Sequence, residues 1–138
     1  MRHHQIQAEW KRAQKAFHAV DLLQQHGLAE DAISRAYYAT MHAAKAALLV
    51  HNVIAESHAA VRRLFGQVLV VAAGVEREWA QILARGHDQR EAAEYNVEFV
   101  VEADAAARVV PDARRFVERM AAYVISKGIV LEARDEPT

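Results

Sequence analysis

The sequence predicts an all-α protein, an up-down antiparallel bundle of four to five helices. Alanine, the strongest helix former, accounts for 29 of the 138 residues, whereas only five residues are glycine and two are proline, the main helix breakers. Apolar residues also recur three and four positions apart, which is the spacing of one helix face. This composition excludes a β-sandwich, a disulfide scaffold and a disordered chain.

The first two helices are indicated by apolar stripes and by the glycine between them. The stripe of the first helix, over residues 6–26, consists of Ile6, Trp10, Ala13, Phe17 and Val20. Gly27 follows this helix, and glycine suits the left-handed conformation that ends many helices. The second helix, over residues 29–50, has a core stripe of Ile33, Tyr37, Met41, Ala44 and Leu48.

A capping residue and further apolar positions indicate the next two helices. Ser57 has a side chain that caps helix starts, so it predicts a third helix over 58–73, which Gly74 ends. A fourth helix is expected over 76–93. Apolar residues alternate in the next segment without a partner strand elsewhere, so we expect an extended loop over 94–100.

A fifth helix is predicted over residues 102–126. Pro111 lies inside it and predicts a kink or a break, because proline lacks the backbone N–H and clashes with the preceding turn. The charged tail over 131–138 is expected to be frayed. We therefore expect one domain over residues 1–138, with its core over about 5–126.

Charge and composition limit the possible functions. There are 17 basic and 18 acidic residues, so the bulk charge does not indicate a strongly basic nucleic-acid binder, although a local basic cluster remains open. The chain has no cysteine, and its eight histidines lack metal-ligand spacing, so no metal and no cofactor are expected. No leader and no apolar run of about 20 residues is visible, so we expect a cytoplasmic protein without membrane contact.

The second helix carries the most informative pair of residues. Arg35 and His42 are seven positions apart, so they lie within about 20° of each other, opposite the core stripe. Arginine has a permanently charged fork that suits a phosphate, and histidine transfers protons near neutral pH. Such a pair can bind a phosphodiester and activate a ribose 2′-hydroxyl without a metal. The plainer interpretation pairs Arg35 with Asp31 and treats His42 as an ordinary rim residue.

Small residues surround this pair. They are Ala32, Ala39, Ala43 and Ala46. Because small side chains let a second helix approach closely, we expect this side to pack against another element or another subunit. We expect a homodimer through these alanines, and its two-fold symmetry would bring both copies of Arg35 and His42 to one cleft.

Four further residues are candidates for phosphate or substrate contacts. Tyr38 and Asp31 lie on a polar strip beside the pair, where Tyr38 can contact a phosphate, stack on a base or pack across an interface. His58 is either a cleft residue or a helix-start residue. Arg90 either contacts a second phosphate or forms a helix-end ion pair with Glu94.

The run over 34–46, Ser-Arg-Ala-Tyr-Tyr-Ala-Thr-Met-His-Ala-Ala-Lys-Ala, resembles the "RAYYAxFHAA" core of the HEPN domain family. It is most similar to the small stand-alone bacterial and archaeal branch. Two further segments match in order: residues 56–58 with 64–67 resemble the "SH…LF" segment, and 88–95 resemble "LREEADY". The resemblance covers about residues 5–126.

The resemblance implies a four- or five-helix bundle that is usually a homodimer and often accompanies a nucleotidyltransferase in toxin–antitoxin pairs. It also implies a metal-independent endoribonuclease with an Arg-x4–6-His motif at the dimer cleft. Arg35 and His42 match that motif, Arg35 to hold the scissile phosphate of the RNA and His42 as the general acid/base. The alternatives are a non-catalytic module that binds a nucleotidyltransferase or a nucleotide, and a structural dimerisation domain.

Overall fold

The computed structural model describes residues 2–95 and 103–132 of the chain. Within these ranges the chain forms helices and no strand, which confirms the predicted all-α bundle. The helices are α1 (His3–Gln25), α2 (Ala29–Leu49), α3 (His58–Leu64) with a π-helical continuation (Phe65–Ala72), α4 (Arg77–Tyr95) and α5 (Ala103–Ser126). None of these described helices combines the length and the apolar character needed to cross a bilayer.

Helix α2 is the centre of the bundle. It contacts every other helix described above, and its most extensive contacts are with α1, α5 and α4. The predicted core stripe is confirmed, because all five of its residues are at most 2% exposed. A helix with neighbours on several sides buries more than one stripe, and 13 of the 21 residues of α2 are buried.

The alanines beside Arg35 and His42 are covered within the chain itself. Ala32, Ala39, Ala43 and Ala46 are at most 1% exposed. The helix on this side is α1, since the ring of His42 bonds to Glu9 of α1. The expected second packing contact is therefore present, but the expectation of a second subunit at these alanines is wrong. Their small side chains let α1 lie close to α2 instead.

Three predicted helix ends are confirmed. Gly27 follows α1 with a φ of +72°, and the N–H of Leu28 donates to the carbonyl of Leu23 at 2.9 Å, as in a left-handed helix cap. The side chain of Ser57 caps α3 by accepting a hydrogen bond from the N–H of Ala60 at 3.0 Å. Gly74 ends the π-helical continuation with a φ of +78°.

Helix α4 is longer than predicted. It continues through Glu94 and Tyr95, so the extended loop expected from residue 94 is wrong for these two residues. Glu94 is held there by an ion pair to Arg90, 3.1 Å away, on the preceding turn. The rest of the predicted loop, residues 96–100, lies outside the described residues.

Helix α5 continues through Pro111, so the predicted break does not occur. Proline removes one backbone hydrogen bond from the helix. The neighbouring Val110 and Ala113 are both 4% exposed and belong to the core. Their packing in the bundle keeps the turn helical despite the missing bond.

The start of the C-terminal tail is bound to α1. The side chain of Gln7 donates to the carbonyl of Val130 and accepts from the N–H of Glu132, and the Glu132 carboxylate lies 3.0 Å from the Lys11 ammonium. The expected fraying is therefore wrong for residues 131–132. Residues 133–138 lie outside the described part of the chain.

Replacing Ala43 by leucine tests the close contact of α1 with α2. Ala43 is fully buried, so the larger side chain overfills the space between the helices. We expect Ala43→Leu to lower the free energy of unfolding by about 1–3 kcal/mol in urea denaturation. Ala84→Leu, at an exposed position of α4, is the matched control and should change it by less than about 0.5 kcal/mol. Equal stabilities of the two variants would contradict the close packing.

Candidate functional site

One face of α2 remains accessible to solvent. We call it the surface stripe (Arg35, Tyr38, His42 and Lys45). Arg35 is exposed, and the other three residues are half-buried. The stripe spans about 15 Å at 1.5 Å per residue. Arg35 and His42 thus lie on a common face away from the core, as their spacing predicts.

His42 is oriented by a carboxylate from α1. Its ring Nδ1 lies 2.6 Å from Oε2 of Glu9, and both side chains are 21% exposed. An ionised carboxylate only accepts hydrogen bonds, so Nδ1 is the donor. In the neutral ring the second nitrogen, Nε2, is then the atom that can accept a proton.

The charge of Glu9 depends on its neighbours. Burial raises the pKa of Glu9, but the hydrogen bond and charge of His42, together with the charges of Lys45 and Arg12, outweigh burial and leave the pKa below its ordinary value. Glu9 is therefore ionised at neutral pH. A carboxylate in this position stabilises the positive charge that His42 gains on taking up a proton.

A second group of side chains lies at the other edge of the stripe. We call it the tyrosine–arginine cluster (Tyr37, Tyr38, His58, Arg62 and Arg90). The His58 ring is 5.5 Å from the Tyr37 ring and 5.9 Å from the Tyr38 ring, between centroids. The Arg90 guanidinium lies 5.6 Å and 5.4 Å from the same two rings, within cation–π range. Arg62 donates to the Tyr37 hydroxyl at 3.1 Å.

Tyr38 joins this cluster to Arg35. The Arg35 guanidinium is 5.7 Å from the Tyr38 ring centroid, and Nη2 of Arg90 is 3.4 Å from the Tyr38 hydroxyl. The structure therefore brings together four of the predicted site residues, Arg35, Tyr38, His58 and Arg90. His42 lies one turn beyond Tyr38 and contacts Glu9.

Arg35 and Arg90 differ in their ion pairs. Among the described residues no ion pair joins Arg35 to Asp31, and the Asp31 side chain is exposed. The pair between Arg90 and Glu94 is present at 3.1 Å, and Glu94 also accepts a hydrogen bond from the Ser34 hydroxyl at 2.9 Å. The predicted ion pair with an acidic neighbour is therefore present for Arg90 and, within the described residues, absent for Arg35.

His58 lies where positive charges converge. Burial lowers the pKa of His58, and the charges of Arg90, Arg62, Lys45 and His87 lower it further. The ring is therefore neutral near pH 7. In the described ranges, no group of three or more histidine, aspartate or glutamate side chains is arranged to hold a metal ion.

The model of the HEPN domain family matches residues 6–123 of the chain. The chain belongs to the HEPN domain family. Its relatives include a Methanocaldococcus jannaschii protein named "Putative toxin", 33% identical over 116 residues, which are 84% of this HEPN chain and 86% of the relative. A second protein of that name from the same organism is 22% identical over 125 residues, 91% and 85% of the two chains.

A third relative of this HEPN chain is a UPF0332 protein of Pyrococcus horikoshii. It is 43% identical over 70 residues, which are 50% of this chain and 49% of the relative. The family resemblance predicted from the run over 34–46 is confirmed by the family match.

The sequence did not single out two residues of this candidate site. Glu9 lies off the apolar stripe of α1, and nothing in that periodicity shows which residue of α2 it meets. Arg62 is one half of a basic doublet with Arg63 and resembles a solvated pair. Arg62 lies four residues after His58, so the two share a helix face, and this spacing could have indicated that Arg62 lies beside His58.

Removing His42 tests the carboxylate–histidine contact. In His42→Ala the hydrogen bond and charge are lost while burial remains, so the pKa of Glu9 should rise. The check is the carboxyl carbon titration of Glu9 by NMR. Glu76 is an internal control, because its pKa of about 2 depends first on the hydrogen bond from Arg119 and should not change.

The same substitution predicts a pH dependence of stability. The folded-state pKa of Glu9 is lowered, so its stabilising contribution is present above the unfolded value of 4.5 and is lost as the pH falls through the folded value. The stability difference between the wild type and His42→Ala should therefore shrink in acid. A difference that grows below pH 4.5, or an unchanged Glu9 titration, would contradict the contact.

Proposed function

We propose that this HEPN protein is the ribonuclease component of a toxin–antitoxin pair and cleaves RNA without a metal ion. The observation that carries the proposal is the 2.6 Å contact between His42 and Glu9, on the face of α2 that also presents Arg35. The names of its two Methanocaldococcus jannaschii relatives support the toxin role.

The chemistry follows from these three side chains. Nε2 of His42 takes the proton from a ribose 2′-hydroxyl, and the 2′-oxygen attacks the neighbouring phosphorus. The bond from phosphorus to the 5′-oxygen breaks, and the protonated His42 ring returns its proton to that oxygen. The products are a 2′,3′-cyclic phosphate and a free 5′-hydroxyl. Arg35 stabilises the negative charge on the phosphoryl oxygens, and Glu9 stabilises the charged ring of His42.

A second copy of the chain completes this site. Within one chain Arg35 and His42 are two helical turns, about 10 Å, apart along α2. A two-fold axis that passes near Tyr38 places Arg35 of one copy opposite His42 of the other, because the axis lies midway between them. The accessible stripe of α2, and not its buried alanine side, is therefore the proposed dimer surface.

Cleavage of an RNA substrate in the presence of a chelator tests the proposed chemistry. We expect His42→Ala and Arg35→Ala each to lower the rate by about 100-fold or more, since a positioned acid/base contributes about that much. Glu9→Gln should lower it less, because the catalytic ring remains. His18→Ala, at an exposed position of α1, is the matched control and should cleave at the wild-type rate.

Two results would overturn the ribonuclease proposal. One is full cleavage by His42→Ala, and the other is no cleavage by the wild type. In the second case, binding of a nucleotidyltransferase or a nucleotide by a non-catalytic module becomes the better function for this HEPN fold.

Mixing two inactive variants tests the shared site. Random pairing of Arg35→Ala with His42→Ala chains makes half of the dimers mixed, and each mixed dimer has one intact site of two. We therefore expect about a quarter of the wild-type activity. Light scattering should give a mass of two chains for each preparation. No recovery of activity in a mixture that contains mixed dimers would show that each site lies within one chain.

A further inference from the structure

The proposed cleavage chemistry leaves the tyrosine–arginine cluster without a role. The chain as a whole has a net charge of −1. Around His58, however, three helices contribute cationic side chains: Lys45 of α2, Arg62 of α3 and Arg90 of α4. A local concentration of positive charge in a near-neutral protein is a feature of anion-binding sites.

The positive charge of the cluster is only partly balanced. Glu94 pairs with Arg90 and is itself held by the Ser34 hydroxyl. The hydrogen bond that Arg62 makes in the cluster goes to the neutral hydroxyl of Tyr37. Among the described residues, Glu94 lies beside Arg90 and Glu9 lies near Lys45, whereas Arg62 forms no ion pair, so an added anion would be attracted to this place.

The cluster is also held in place by its aromatic rings. The Arg90 side chain is 14% exposed and lies against both Tyr37 and Tyr38. The two rings restrict the positions that the guanidinium adopts. Less conformational entropy is then lost when a ligand binds, which favours affinity.

We propose that the tyrosine–arginine cluster binds a second phosphate of the same RNA strand, so that the substrate spans at least two phosphates. This inference rests on the proposed function. The observation that links the two sites is Tyr38, because the guanidiniums of Arg35 and Arg90 lie 5.7 Å and 5.4 Å from its ring centroid.

The chemistry of the cluster selects a single strand. An aromatic side chain recognises RNA by stacking on a base that is free of its own neighbours, as in loops and single strands. Tyr38 is half-buried whereas Tyr37 is buried, and beside the proposed two-fold axis Tyr38 faces the cleft that the RNA strand would enter. A net charge of −1 also gives the chain as a whole no electrostatic preference for the densely charged backbone of a duplex.

Binding of a fluorescent single-stranded RNA tests the second site. The probe carries 2′-O-methyl sugars, so that it is not cleaved, and its affinity is measured by fluorescence anisotropy. Arg62→Gln should weaken binding about tenfold, as expected for one charged hydrogen bond. It should also reduce the slope of log affinity against log salt by about 0.7. Arg63→Gln removes the same charge at the adjacent exposed position and should bind as the wild type does.

A variant that is expected to bind RNA more tightly separates an effect on binding from damage to the fold. Glu94→Gln removes the carboxylate that competes for Arg90, so it should strengthen binding of the same probe. A loss of structure would not produce tighter binding. Thermal melts by circular dichroism should show each variant folded at the temperature of the assay.

The outcomes distinguish this site from the proposed catalysis. Equal affinities of Arg62→Gln and Arg63→Gln, or weaker binding by Glu94→Gln, would overturn the second phosphate site, whatever the His42 variants show. Binding of the annealed duplex as tightly as the single strand would overturn the choice of substrate. If the wild type does not cleave RNA but Arg62→Gln still binds more weakly than Arg63→Gln, the ribonuclease proposal fails and the binding site stands.

Discussion

The rest of the structure depends on the close packing of α1 against the alanine side of α2. Ala39 and Ala43 are fully buried there, beside the ring of His42. Methyl side chains allow the helix backbones to approach closely, and this distance lets the short carboxylate of Glu9 reach Nδ1 of His42. The alanines that fill the core therefore also determine the geometry of the proposed acid/base group.

The opposite edge of the same helix is built differently. There α2 meets α3 and α4 through large polar and aromatic side chains, and Tyr37 and Tyr38 contact arginines from both. Gly86 of α4 lies at this contact: a Cβ added to it would be 3.5 Å from the Tyr37 ring, an ordinary contact distance. One central helix thus carries a tightly packed side and a charged, partly solvated side, and the proposed site lies between them.

The helices and the core stripe of α2 could be predicted, because both depend on local spacing along one helix. The packing partner of the alanine side could not, since a stripe of alanines looks the same whether it faces α1 or a second copy. Glu9 was not predictable either, because its contact depends on how far α1 is shifted along α2. The continuity of α5 at Pro111 was not predictable for the same reason. Packing of the buried neighbours of Pro111 outweighs the preference of proline to break a helix.

The position of α1 has a consequence for motion. The contact between α1 and α2 is the most extensive between any two of the described helices, and Gln7 and Lys11 also tie α1 to the last described residues. Local opening at low free energy is a property of elements with few buried contacts, and α1 is not such an element. Glu9 therefore stays beside His42 for as long as α1 and α2 remain packed. The orientation of the histidine is as long-lived as the docked state of the first helix.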